Sequence, residues 1–301
     1  MLTWRTDLAL EAAQLWRESA GEAAELPGVE SAEGLREGYP VTTVRILDGR
    51  GEQALGKPAG TYITLELDGL ARRETDAFGR AARALAAELA PLLPRDPRAP
   101  ALVVGLGNRA ITPDNIGPKA ADHTMVTRHL VEQVPEHFGA FRPVAALAAG
   151  VLGTTGVESG QLARAVAERI RPACVLCVDA LAARSVRRVC RTVQVADTGI
   201  TPGSGVGNAR EALNAQTLGV PVIAIGVPTV VDAATLTRDV LAQAGREELE
   251  PHALGEAGGG LIVTPRDIDT QVHDLAKVIG YGINLALHPG LTIQDVELFL
   301  S

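Results

Sequence analysis

Between residues 101 and 227 the chain repeats a single pattern: a short apolar run, a glycine-rich or polar loop, then a stretch with helical spacing. The runs fall at 101–106, 143–148, 173–178, 191–196 and 220–227. Each is too short for a core helix; 101–106 and 173–178 are apolar throughout and read as strands buried on both faces, and 191–196, Arg-Thr-Val-Gln-Val-Ala, reads as a further strand. Strands alternating with helices in this way predict an α/β fold, a mostly parallel sheet covered by helices on both faces. Helices are expected at about 119–134, 161–170, 181–187, 209–218, 233–244 and 267–287, with a short strand at 261–263 after a glycine breaker. Ahead of this pattern, 41–47 and 61–67 alternate like antiparallel strands joined through the turn region from Gly49 to Gly60. A helical Ala- and Leu-rich stretch over 72–93 ends at Pro94, completing a smaller α+β N-terminal layer beside the main sheet. With no internal repeat and no long linker, residues 1–301 are expected to form a single domain.

The chain is 46% hydrophobic but only 3% aromatic, so its core must be built from Ala, Val, Leu and Ile. Its 36 acidic and 28 basic residues give a net charge of −8 and include no basic arm, which argues against direct nucleic-acid binding. An acidic surface of this kind tolerates a basic or polar protein substrate. No apolar run approaches the roughly 20 residues that span a bilayer, and Met1–Asp7 lacks the apolar core of a signal peptide. The expected location is cytoplasmic, with no membrane partner. Cys174 and Cys177 form a C-x-x-C inside an apolar run, where residues three apart point to opposite faces of a strand. With only Cys190 besides, they read as buried, reduced and structural rather than redox-active or zinc-binding.

In an open α/β sheet, ligands bind outside the carboxyl ends of the strands. Two aspartates fall there: Asp114, in the turn after 101–106, and Asp179, directly after 173–178. Two neighbouring carboxyls cannot comfortably both ionise, so such a pair supplies one acid and one base for attack by water on a carbonyl. The plainer alternatives are a helix N-cap for Asp114, and for Asp179 a cap or an ion pair with Arg184. Glu158, just before the helix at 161–170, is a possible supporting acid, or a residue favourably placed at a helix start. Gly105-Leu106-Gly107-Asn108-Arg109-Ala110 fits a dinucleotide fingerprint, but Thr112-Pro113-Asp114-Asn115 delays the helix such a site requires. The loop 197–208 is rich in Gly and hydroxyls without a Walker lysine, and reads as a cleft wall in which Ser204 is a turn residue. No H-E-x-x-H and no G-x-S-x-G is present, so neither a zinc site nor a serine nucleophile is expected.

At these residues the chain resembles the germination protease family of spore-forming bacteria. The likeness is carried by 5–12, by Gly105 to Pro118, by Val126-Thr127-Arg128-His129-Leu130, by Asp179-Ala180-Leu181-Ala182-Ala183-Arg184, by 192–233, and by Thr264–Asp269 through Asn284–His288. It implies an endopeptidase that starts the breakdown of small acid-soluble spore proteins in the forespore or spore core. It also implies an atypical aspartic active site without cofactor or metal, and a fold related to hydrogenase maturation proteases. The family's two essential aspartates fall on Asp114 and Asp179. The family is made as an inactive homotetrameric zymogen that trims its own amino terminus. Residues 1–7 are accordingly expected to be a pro-segment cut between Asp7 and Leu8, where Asp7-Leu8-Ala9 matches the acidic-apolar-Ala pattern of the family's cleavage sites. The chain departs from the family in a short leader and in a shorter stretch before Gly258. A metal-sensing maturation protease of the same fold, a nucleotide-binding α/β protein without peptidase activity, and a regulatory or structural oligomer stay open as alternatives.

Overall fold

The structure, a computed structural model, describes residues 6–20, 25–204, 210–245 and 260–301. Its strands are β1 (Val29–Arg36), β2 (Tyr39–Ile46), β3 (Gly60–Glu66), β4 (Ala101–Leu106), β5 (Val144–Gly150), β6 (Cys174–Ala183), β7 (Thr192–Ala196), β8 (Val222–Asp232) and β9 (Ile262–Val263). The principal helices are α1 (Ala9–Ala20), α2 (Ala77–Leu89), α3 (Ile116–Asp122), α4 (Ser159–Ile170), α5 (Ala233–Gln243), α6 (Ile268–Leu287) and α7 (Ile293–Leu300). All the strands join one sheet in the order β1-β2-β3-β7-β8-β6-β4-β5, with β9 pairing to the far end of β8.

The α/β class and the helix-covered sheet are as the sequence implies. Parallel pairing is confined to β5, β4, β6 and β8, and β7 and β1–β3 extend the same sheet antiparallel. The N-terminal strands therefore continue the sheet instead of forming a layer beside it. Period-two burial explains the apolar runs. Val103 of β4 and Leu176 and Val178 of β6 pack toward α2, α3 and α6 on one face. Leu102, Val104 and Leu106 pack with Ala163 and Ala167 of α4 on the other. Cys174 and Cys177 fall on these opposite faces, both buried and free, and burial pushes the Cys174 thiol up to about 11.

Three departures from the expected elements bear on the site. β6 does not stop at Val178: it runs on to Ala183, because β8 also runs on and pairs with it through Val231. That tertiary pairing overrides the helix preference of Ala-Leu-Ala-Ala. The helix expected over 119–134 is divided into α3 and a short helix at Arg128–Gln133. The break is held by fully buried Asn284 of α6, whose side chain donates to His123 O at 2.9 Å and accepts the Met125 N–H at 2.8 Å. Of the helix expected over 209–218, only Ala215–Leu218 forms among the described residues, capped by Asn214. Part of that stretch, part of the loop 197–208, and Gly258 and Gly259 of the glycine breaker lie outside the described residues. Strand β1 and helix α7 were not expected. Among the described residues no helix is long and apolar enough to cross a membrane.

Candidate active site

The carboxyl ends of β4, β6 and β8 open into a cleft of about 390 Å³. Asp114, Asp179, Glu158 and Asp7 all line it, as do Thr201, Pro202, Gly203 and Ser204 of the loop expected to form its wall.

Close backbone contact brings the first two carboxyls together. A Cβ on Gly105 of β4 would come within 2.2 Å of Gly117 O, and one on Gly117 within 2.3 Å of Val178 O. Glycine at both positions lets the start of α3 lie directly on β4 and β6. Gly107 then turns the chain with φ +110°, and a Cβ there would meet Asp114 O at 2.0 Å. Past this turn the chain enters a 3-10 turn, Thr112–Asp114, before α3 begins. Asp114 does not cap α3, whose N-cap makes no side-chain hydrogen bond. Its Oδ2 instead accepts the Asn108 N–H at 2.9 Å.

Asp179 lies within β6 and is 5% exposed. Its Oδ1 accepts the N–H of Ala180 at 2.9 Å. Burial, then the charge of Asp114, drives its pKa well above the usual carboxylate value; the Ala180 N–H opposes this and the charge of Asp7 adds to it. Burial also raises Asp114, against the Asn108 N–H. The interpretation of Asp179 as a helix cap falls, since no helix follows it. Arg184 reaches Glu18 at 2.8 Å and Asp239 at 3.3 Å. Glu158 sits at the N-cap position of α4 without a side-chain capping bond, and meets Arg210 Nη1 at 3.2 Å.

The residues proposed for processing are ordered against β6 and β7. The Asp7 N–H donates to Ala182 O at 2.9 Å, and Asp7 Oδ2 accepts the Ala182 N–H at 2.9 Å. The Ser204 hydroxyl donates to Asp7 Oδ1 at 2.9 Å. Leu8 is fully buried, and Gln194 of β7 spans the junction by donating to Asp7 O at 3.2 Å and accepting the Ala9 N–H at 2.8 Å. That Asp7 enters the cleft, and that Ser204 and Arg210 meet acids there, had no local signal in the sequence: the Asp7–Ala182 contact joins residues 175 apart. Among the described residues no three His, Cys, Asp or Glu side chains gather to hold a metal ion.

A cleft with two carboxyls, both raised by burial and Asp179 further by the charge of Asp114, one in a strand and one on a turn, can hold a water between an acid and a base. The family model described as Germination protease matches residues 9–250 of this chain. A germination protease of Clostridium tetani is 44% identical over 322 aligned residues, covering 99% of each chain. Another, from Caldanaerobacter subterraneus, is 44% identical and covers 98% of each. Among solved structures, the [NiFe] hydrogenase maturation protease HycI from Thermococcus kodakarensis matches 62% of this chain and 92% of its own, at 16% identity and a TM-score of 0.34.

Proposed function

The chain belongs to the germination protease family, and from that premise we propose that it is an endopeptidase that begins degradation of small acid-soluble spore proteins, with Asp114 and Asp179 as its catalytic pair. The single observation that carries this reading is the meeting, in one cleft, of two carboxyls that each hold their protons more tightly than usual.

The roles follow from their surroundings. Asp179, the more deeply buried, keeps its proton and acts as the acid. Asp114, held by a backbone N–H and nearer solvent, is the ionised base. Asp114 takes a proton from the bound water as its oxygen adds to the peptide carbonyl carbon. The tetrahedral adduct then collapses, the C–N bond breaks, and the Asp179 proton passes to the departing nitrogen. A proton moving from Asp114 back to Asp179 restores the starting state. Glu158, tied to Arg210 at the rim, supports substrate positioning. No metal or cofactor enters this scheme.

In the same reading the protein is a self-processing zymogen, a tetramer in the forespore, cut between Asp7 and Leu8. The position of Asp7 in the cleft supports that cut. Glu11, the acid of α1 nearest that junction, is 1% exposed and so does not face water.

Incubation with small acid-soluble spore proteins, with products read by mass spectrometry, tests the activity. Intact substrate after prolonged incubation with protein sequenced from Leu8 onward defeats it. Activity lost with EDTA and regained only with added metal would replace the aspartate mechanism with metal-assisted hydrolysis.

A further inference from the structure

The edge of β6 along the cleft is only partly paired. On one side β6 follows β8 from Val175 to Ala183. On the other its register with β4 ends at Gly105 opposite Val178. Beyond that point the β4 side has no strand partner among the described residues. Asp7 engages both the N–H and the carbonyl of Ala182, so these groups point away from β8 and into the vacated edge. Backbone groups alternate along a strand, so Ala180 faces the same edge, and its N–H donates to the Asp179 carboxyl.

The chain itself displays what this edge accepts. Asp7 lies against it, its main-chain N–H donating to Ala182 O. The Asp7 carboxylate fits between the Ala182 N–H and the Ser204 hydroxyl, at 2.9 Å from each. A carboxylate is an acceptor at both oxygens, so two donors suit it, and hydrogen bonds to a charged acceptor are the stronger kind. The neighbouring cleft, of about 510 Å³, is lined by Asp7, Ser204 and the half-buried Lys57. Burial pulls the Lys57 ammonium down, and the charges of Asp7 and then Glu11 oppose that.

We propose that the free edge of β6 at Ala180–Ala182, together with Ser204, is the docking strand of the cleft: an extended peptide takes the place of Thr6–Asp7, pairs its main chain with Ala182, and seats an acidic side chain between the Ala182 N–H and the Ser204 hydroxyl. Adding a strand to an open sheet edge is a general mode of peptide capture. Here it carries the peptide past Asp179, whose carboxyl belongs to the residue just before Ala180. Ser204 is thereby a specificity-determining residue. This inference rests on the peptidase reading of the cleft.

Two measurements test it. The first compares kcat/KM for peptides that differ only in having Asp or Ala at the position equivalent to Asp7, and for the Asp peptide with that residue's nitrogen methylated. The Asp peptide is expected to be preferred by about tenfold or more, the scale of a charge-assisted hydrogen bond. Ser204→Ala should narrow that ratio, mainly through KM, and N-methylation should lower kcat/KM to a similar extent. The second follows amide hydrogen exchange at Ala182 in the full-length chain, expected to be slow and to accelerate in Ser204→Ala and Asp7→Ala. Cleavage with an Asp-to-Ala ratio unmoved by Ser204→Ala overturns the docking strand while leaving the peptidase reading intact. Exchange at Ala182 unchanged by both substitutions overturns it as well. If no peptide and no spore protein is cut, the peptidase reading fails and the docking strand falls with it.

Discussion

Two buried carboxyls approach the second half of β6, and their surroundings are opposite. Glu11 is saturated: it accepts the Arg184 N–H at 2.6 Å, the Ser185 N–H at 3.0 Å, Arg188 Nη1 at 3.2 Å and the Thr6 hydroxyl at 2.5 Å. Asp179 accepts the N–H of its own neighbour, Ala180, and faces the charges of Asp114 and Asp7. Glu11 ties α1 to the end of β6. Asp179, buried and crowded by like charge, holds a proton more tightly than an ordinary carboxyl. Burial alone does not mark a reactive acid. Burial combined with too few donors does.

The largest expected effect is on turnover. Asp114→Asn or Asp179→Asn should lower kcat/KM by about 10³-fold or more, since members of a cooperating pair each account for most of the rate. Circular dichroism should remain that of the folded protein. Glu11→Gln, equally buried, should retain the chemistry but lose about 2–3 kcal/mol of stability, as charge-assisted hydrogen bonds are removed. Calorimetry would register this as a lower Tm. A stable Glu11→Gln protein, or an Asp179→Asn protein with near-normal turnover, would erase the contrast between the two sites.

A smaller effect carries a sharper sign. The folded-state pKa of Asp179 lies above its unfolded value, so the stability it contributes is present below about pH 4 and is lost as pH rises through the raised folded value. Asp179→Asn should therefore raise Tm at neutral pH relative to the native chain, with the advantage shrinking toward pH 4. A Tm difference constant from pH 4 to pH 7 would break the argument. The smallest effect belongs to Glu158→Gln. Its pair with Arg210 is partly exposed, and such pairs contribute at most about 1 kcal/mol. A loss in kcat/KM of under about tenfold is expected, and a loss equal to that of the aspartates would make Glu158 a member of the catalytic group.

The parallel part of the fold was legible because burial on both faces leaves a plain mark, as in Leu102-Val103-Val104. Pairing direction leaves no such mark, so nothing in Thr192–Ala196 announced that β7 would run antiparallel to β8. Strand β1 is an exposed edge, Val-Glu-Ser-Ala-Glu-Gly-Leu-Arg, without alternation to detect. Helix α7 did carry a signal: Thr292 and Asp295 form a capping box, three residues apart. Asp114 and Asp179 could be assigned to one cleft because strand-end topology alone brings them there. Asp7 could not, because its partners are supplied by β6, β7 and the loop at Ser204, all far along the chain.

That distance has a consequence for how the molecule is made. Asp7 and Ala182 are 175 residues apart, and the bonds of Glu11 to Arg184, Ser185 and Arg188 span 173, 174 and 177 residues. Chains emerge at about 5–20 residues per second, so Asp7 and Glu11 wait on the order of ten seconds or more for these partners. Until then Ala9 and Ala13 can pack only against Val44, Ile46, Leu55 and Tyr62, and the wall that Asp7 forms with Ser204 does not exist. The cleft can thus be completed only after β6 and β7 have left the ribosome. Translation itself keeps hydrolytic capacity from arising on a half-made chain.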